Sequence, residues 1–153
     1  MADFCNKVVY QIYPKSFRDT NGDGIGDIPG VIEKLDYLQE LGVDFLWLTP
    51  IFISPQRDNG YDVADYRKIN PEFGTMEDLE NLIFQSRKRG MSIMLDMVFN
   101  HTSTEHEWFQ KALAGEEKYQ KYYIFKEGTP DHVPTNWESK FGGSAWEYVP
   151  SLK

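Results

Sequence analysis

The chain has 153 residues, of which 41% are hydrophobic and 26% are charged, a balance typical of a soluble globular protein. Its formal net charge of −8 argues against a nucleic-acid partner, which would require clustered lysine and arginine. Cys5 is the only cysteine, and we find neither a signal-peptide pattern nor an apolar run long enough for a membrane. We therefore expect a cytoplasmic protein with no disulfide and no membrane partner.

Strand-like and helix-like patterns alternate from the start of the chain. Val8–Tyr13 and Val43–Thr49 are apolar runs that each end at a proline, as buried strands often do. Between them, apolar residues recur at helical spacing over Ile28–Leu41. Asp27 is placed to cap the start of this helix, and Gly42 is placed to end it.

A long connection, a second helix and a third strand follow. Ile51–Gly74 is rich in proline, glycine, aspartate and asparagine and predicts a loop. Thr75 and Asp78 predict the start of a helix, and Gly90 predicts its end. The order strand, helix, strand, helix, strand predicts an α/β protein with a parallel sheet, either open or closed into a barrel.

The third strand-like run, Ser92–His101, ends in polar residues that a core does not need. Under two-residue alternation Asp96, Val98 and Asn100 share one face, and His101 follows in the turn. Strand ends in α/β proteins are where binding sites lie. No serine or cysteine in a nucleophile context and no second histidine at metal-ligand spacing accompanies this set. Hydrogen bonding to a polyol is the function that remains.

Asp19–Asp27 carries side-chain oxygens at its first, third, fifth and ninth positions and glycine at its sixth, like the first part of a calcium loop. Gly30 stands where a helix–loop–helix site would have glutamate. The pattern predicts a structural Ca²⁺ ion bound by Asp19, Asn21, Asp23, the carbonyl of Ile25 and Asp27. The alternative is an ordinary turn in which the aspartates cap backbone N–H groups.

A second polar loop, Asp58–Asp62, places two carboxylates and a tyrosine around an Asn–Gly turn. Such a loop suits the hydroxyl groups of a sugar ring, although a solvated turn has the same composition.

Taken in chain order, Val9–Pro14, Asp19–Asp27, Asp58–Asp62 and Asp96–Ser103 resemble the N-terminal part of the α-amylase superfamily, glycoside hydrolase family 13, in its α-glucosidase branch. The resemblance implies a (β/α)8 TIM barrel, of which residues 1–101 would form about three βα units. Residues 102–153 would be the start of the inserted domain B.

The same resemblance implies retaining hydrolysis of an α-glucosidic bond. It gives the substrate-binding role to Asp58, Tyr61, Asn100 and His101, and a structural role in the site to Asp96. The nucleophile and the acid/base of the family lie in later conserved regions. We therefore expect no catalytic residue in this chain, and no activity from the chain by itself.

Within the branch, Thr135–Trp146 is most similar to the members that split trehalose 6-phosphate into glucose and glucose 6-phosphate. Near variants occur in members that act on α-1,6-linked oligosaccharides and on dextran. The expected partner is therefore a small carbohydrate, with a phosphate group in the first case. A non-catalytic sugar- or calcium-binding module and a non-catalytic transporter subunit are the alternatives of another class; members of the latter kind carry a membrane segment.

Overall fold

The computed structural model describes residues 4–152, which form two compact units, one up to Ser103 and one from Thr104 onward. The first unit contains five strands and four helices among these residues. They are β1 (Val9–Ile12), α1 (Pro14–Phe17), α2 (Ile28–Glu33), α3 (Leu35–Glu40), β2 (Phe45–Leu48), β3 (Phe52–Ile53), β4 (Asp65–Ile69), α4 (Met76–Lys88) and β5 (Ser92–Leu95).

A three-stranded parallel sheet in the order β1-β2-β5 forms the centre of the first unit. Val9 pairs with Phe45, and Phe45 pairs with Ser92, so the three strands begin in register. This confirms the α/β class with a parallel sheet. Apolar side chains of the strands and helices form the main core, whose fully buried members include Ile12, Val31, Leu35, Leu46, Leu48 and Leu82.

The helical pattern over 28–41 forms two short helices, α2 and α3, where the sequence predicts one. Lys34 separates them with φ −101° and ψ 5°. The predicted ends are confirmed: the Asp27 carboxylate accepts a 2.7 Å hydrogen bond from Gly30 N–H, and Gly42 adopts φ +80°. The N–H groups of Gly42 and Val43 bond back to the carbonyls of Gln39 and Leu38, which closes α3.

The prediction that residues 51–74 form a loop is wrong in part. β3 and β4 pair there as an antiparallel two-stranded sheet with an irregular register. The sequence of β4 is too polar to be recognised as a strand. It forms through pairing with β3, a contact that periodicity within β4 does not report.

The third strand is also shorter than the sequence predicts, since the predicted strand extends to Asn100. β5 ends at Leu95, and one more ladder-like bond follows, from Asp96 N–H to the Leu48 carbonyl at 3.1 Å. Its neighbour β2 ends at Leu48 and is followed at Pro50 by a residue without an N–H, so β5 has no partner beyond this point. Asp96, Val98 and Asn100 therefore lie on irregular chain and not on one strand face.

The second unit contains two helices, α5 (Glu107–Leu113) and α6 (Glu117–Gln120), and mostly irregular chain after them. Aromatic pairs link its helical part, with ring centroids 5.0 Å apart for Phe109 and Tyr123. Over residues 4–152 no helix has the length and apolar character needed to cross a membrane.

Candidate functional site

Polar side chains gather at the edge of the sheet where β1, β2 and β5 end. Tyr13 follows β1 directly, and Asp96 follows β5 directly. Parallel strands bring their carboxyl ends to the same edge, so these two residues reach it from either side of β2. The loop Asp58–Asp62 lies at this edge too, because both Tyr13 and Asp96 are hydrogen-bonded to it.

Left-handed backbone gives the Asp58–Asp62 loop its shape. Asn59 has φ +51° and Gly60 has φ +95°. Gly60 is buried, and a Cβ at this position would lie 3.0 Å from the Pro50 carbonyl oxygen, so the turn excludes a side chain there. The N–H of Tyr61 then donates to the Asp58 carbonyl at 3.0 Å and closes the turn.

Asp62 holds the loop from its inner side. Its carboxylate accepts hydrogen bonds from the Ser54 hydroxyl at 2.7 Å and from the N–H groups of Arg57 at 3.0 Å and Asp58 at 3.2 Å. Burial acts to raise the pKa of Asp62, but these hydrogen bonds outweigh it and hold the pKa below the ordinary value. Asp62 is therefore a structural carboxylate of the loop.

Tyr61 connects the loop to the end of β5. Its hydroxyl donates to Asp96 Oδ2 at 3.0 Å. Burial raises the pKa of Tyr61, and the hydrogen bond to Asp96 and the negative charges of Asp96 and Asp58 raise it further. The phenol thus remains a donor at neutral pH.

His101 lies on the other side of Tyr61. Its Nε2 is 3.0 Å from the Tyr61 carbonyl oxygen, and its Nδ1 is 3.1 Å from Asn100 Nδ2. A carbonyl only accepts and an amide NH₂ only donates, so the contacts assign the proton to Nε2. A sugar hydroxyl next to Nε2 would accept a hydrogen bond from its N–H, either together with the Tyr61 carbonyl or in its place.

The structure thus brings four of the predicted site residues into one connected set. Tyr61 joins Asp96 through its hydroxyl and His101 through its carbonyl, and Asn100 joins His101. Asp58 belongs to the same loop and turn as Tyr61. Their roles in sugar binding and the structural role of Asp96 remain predictions.

Tyr13 and Asp62 were not among the site residues predicted from the sequence. The Tyr13 hydroxyl donates to Asn59 Oδ1 at 3.3 Å and so ties the end of β1 to the candidate site. The signal for Tyr13 was available, because it is the last residue of a predicted parallel strand. The signal for Asp62 is its spacing of four residues after Asp58 across an Asn–Gly turn.

The predicted calcium loop is closed by its own hydrogen bonds. Asp19 accepts from the N–H groups of Asn21, Gly22 and Gly24 at 2.7–3.0 Å. The N–H groups of Gly24 and then Gly22 hold the pKa of Asp19 below its ordinary value, so the carboxylate is ionised, as a metal ligand must be. Asp23 Oδ1 accepts from Ile25 N–H at 2.7 Å.

Asp27 has a second role in this loop, because its carboxylate caps α2 and also accepts from the N–H and hydroxyl of Thr20. No three His, Cys, Asp or Glu side chains form a potential metal site in residues 4–152. A cation here would therefore depend on the amide oxygen of Asn21 and the carbonyl of Ile25 as well as on the predicted carboxylates of Asp19, Asp23 and Asp27. All five are hard oxygen donors, which fit calcium.

Comparison with known proteins identifies the class. The family described as "Alpha amylase, catalytic domain" matches residues 11–151. The chain belongs to this family, and its three parallel strands are part of a TIM barrel.

Among its relatives, the chain is 59% identical over 143 residues to trehalose-6-phosphate hydrolase of Escherichia coli K12, which covers 94% of the chain and 26% of the relative. It is 55% identical over 142 residues to oligo-1,6-glucosidase of Bacillus cereus, covering 92% and 25% respectively.

Solved structures give the same result. The crystal structure of Bacillus licheniformis trehalose-6-phosphate hydrolase matches 95% of the chain and 26% of its own length, with 58% identity and a TM-score of 0.89. The trehalulose synthase MutB matches with 52% identity and a TM-score of 0.91, over 95% of this chain and 26% of its own. The chain spans about a quarter of the length of the relatives that it matches.

Proposed function

We propose that this chain provides part of the substrate site of a retaining α-glucosidase that hydrolyses trehalose 6-phosphate to glucose and glucose 6-phosphate. The observation that carries the proposal is the connected set Tyr61–Asp96–Asn100–His101, which places one phenol, one carboxylate and one imidazole at a single edge of the sheet. The similarity to the trehalose-6-phosphate hydrolases supports the choice of substrate.

The proposed task of these residues is to bind and orient the glucosyl unit. In retaining hydrolysis one carboxylate attacks the anomeric carbon while a carboxylic acid protonates the leaving oxygen. Asp96 is engaged by the Tyr61 hydroxyl, and Asp58 has the charge to accept hydrogen bonds from sugar hydroxyls. We assign Asp58 to binding and Asp96 to a structural role in the site, and we place neither in the bond-breaking step. Hydrogen bonds that strengthen as the ring distorts toward the oxocarbenium-like transition state would accelerate the reaction.

The phosphate group of the substrate is supported by the relatives and not by a described contact. Lys140, the lysine within the Thr135–Trp146 segment and a possible phosphate contact, is exposed. A second candidate function is hydrolysis of α-1,6-linked oligosaccharides, because an oligo-1,6-glucosidase is 55% identical to the chain. The first candidate function implies a cytoplasmic location, because a phosphorylated sugar is charged and does not diffuse through a bilayer.

Binding by the 153-residue chain tests the site. We expect trehalose 6-phosphate to bind in isothermal titration calorimetry, and we expect Asp58→Asn and His101→Ala each to weaken binding about tenfold or more through lost hydrogen bonds. Glu80→Gln, on the exposed face of α4, is the matched control and should bind like the wild type. Equal affinity of the wild type and the His101→Ala variant would exclude the proposed role.

Hydrolysis is measured as release of glucose 6-phosphate from trehalose 6-phosphate by the α-glucosidase of which this chain provides part, purified from cells that express it, with isomaltose in parallel. Faster turnover of trehalose 6-phosphate supports the first candidate function. Faster turnover of isomaltose supports the second, and turnover of neither rejects both.

We further propose that the Asp19–Asp27 loop binds a structural calcium ion. The support is the donor set, with three aspartates, an asparagine amide oxygen and a backbone carbonyl within a single loop. In this role calcium would stabilise the connection between β1 and α2 and would take no part in the reaction.

A further inference from the structure

The segment that carries His101 is anchored to its surroundings at both ends. Asp96 N–H donates to the Leu48 carbonyl at 3.1 Å, and Ser103 N–H donates to the Val63 carbonyl at 2.9 Å. Between these anchors the chain has left the ladder of β5. The position of His101 therefore depends on contacts made by side chains.

One side chain contacts the backbone on both sides of Asn100. The Tyr66 hydroxyl donates a short hydrogen bond to the Val98 carbonyl and lies 3.0 Å from the His101 carbonyl oxygen. A phenol has a single proton, so the two carbonyls share it. One hydroxyl thereby holds the two carbonyls together and fixes the backbone of His101 itself.

The hydroxyl is carried by a half-buried ring that packs on one side against buried apolar side chains. Tyr66 lies on β4, and its ring centroid is 6.0 Å from that of Phe52 and 6.4 Å from that of Phe99. It packs against a small core of Phe52, Val63 and Val98. Because this packing restricts the ring, the hydroxyl has little freedom to follow the segment if the segment moves.

We propose that Tyr66 is a positioning residue for His101, a role that rests on the proposed sugar-binding function. The Tyr66 hydroxyl holds the His101 backbone, and the imidazole can then reach both the Tyr61 carbonyl and a sugar hydroxyl. Tyr66 does not touch the substrate. Its contribution is to limit His101 to one orientation, which lowers the entropic cost of binding.

Removal of the hydroxyl alone tests the inference. Tyr66→Phe keeps the ring and its packing, and we expect sugar affinity to fall about threefold to tenfold, the range for one hydrogen bond. Tyr37→Phe is the matched control, because Tyr37 is 52% exposed on α3 and its hydroxyl is removed from a solvent-facing side chain. Affinity should be unchanged in this control.

A double-mutant cycle separates positioning from general loss of structure. In a His101→Ala background Tyr66→Phe should have no further effect on affinity, because the group that it positions is gone. If the two losses multiply instead, Tyr66 acts on something other than His101, and the inference is overturned.

A readout on the imidazole requires no sugar. In the wild type the ¹⁵N chemical shifts of His101 at pH 8 should report one neutral tautomer with the proton on Nε2. In Tyr66→Phe the two nitrogen shifts should move toward each other as the tautomers mix. An imidazole that already averages between tautomers in the wild type would overturn the inference. If the wild type shows the single tautomer but binds no sugar, the proposed function fails while the structural link between Tyr66 and His101 stands.

Discussion

The two units of this chain differ in how they bury their apolar side chains. Up to Ser103, strands and helices alternate and their apolar faces meet in one core, with residues such as Leu46 and Leu82 fully buried. From Thr104 onward, Ala112 is the one buried hydrophobic residue among those described, while Trp137 is 62% and Phe141 is 82% exposed. A high content of aromatic residues therefore does not by itself make a core. Regular elements with matching faces are also required.

The largest expected effect on the free energy of unfolding comes from a substitution in the core of the first unit. Leu46→Ala should lower the free energy of unfolding by about 2–5 kcal/mol, because it leaves a cavity where Leu46 is fully buried. Phe141→Ala, in the second unit, removes a larger but exposed side chain and should change the free energy by no more than about 0.5 kcal/mol. Urea denaturation followed by far-ultraviolet circular dichroism measures both. Similar losses of unfolding free energy in the two variants would show that the two units do not differ in how they bury apolar side chains.

A smaller effect on stability is expected from calcium binding in the first unit. If the Asp19–Asp27 loop binds calcium in the native state only, a concentration 100 times the dissociation constant should stabilise the chain by about 2.7 kcal/mol. Asp23→Ala should remove this gain, and Glu80→Gln should keep it. The measurement is the melting temperature with and without calcium. A gain that survives in Asp23→Ala would place the ion elsewhere or show a non-specific effect.

The smallest expected effect concerns pH and the site loop. The folded-state pKa of Asp62 lies below its unfolded value, which is about 3.9, so its stabilising contribution is present above that pH. The contribution should disappear as the pH falls further, through the folded-state pKa. Asp62→Asn should cost about 1 kcal/mol at pH 7, where a charged acceptor is lost, and progressively less in acid.

Unfolding free energies of the wild type and the Asp62→Asn variant, measured from pH 7 to pH 3, test this dependence. The difference between them should narrow below about pH 4. A difference that is constant over this range would show that the charge of Asp62 does not contribute. Glu80→Gln provides the baseline for a carboxylate on an exposed helix face.

Local features of the fold were predictable because they depend on neighbouring residues. The Asp27 cap, the end of α3 at Gly42 and the capping box of Thr75 with Asp78 are all confirmed. Each is a hydrogen-bonding or backbone requirement satisfied within a few residues, so the spacing of residue types is sufficient to reveal it.

Features that depend on distant pairing were not predictable in the same way. β4 becomes a strand only because β3 lies beside it, and β5 ends at Leu95 because β2 offers no further partner. The site shares this property. The resemblance to a family pointed to Asp58, Tyr61 and His101, whereas the contacts of Tyr13 and Tyr66 emerged only when the strands were placed side by side.

The sequence alone therefore determined the α/β class, the ends of the main helices and the residue types that could contact a sugar. The tertiary structure decided which of those residues meet. Tyr61 and His101 are 40 positions apart, and their 3.0 Å contact exists because the sheet brings the end of β5 next to the loop that follows β3. A hydrogen bond needs two groups within a few tenths of an ångström of one position. That precision comes from the packing of the whole unit, which no local pattern encodes.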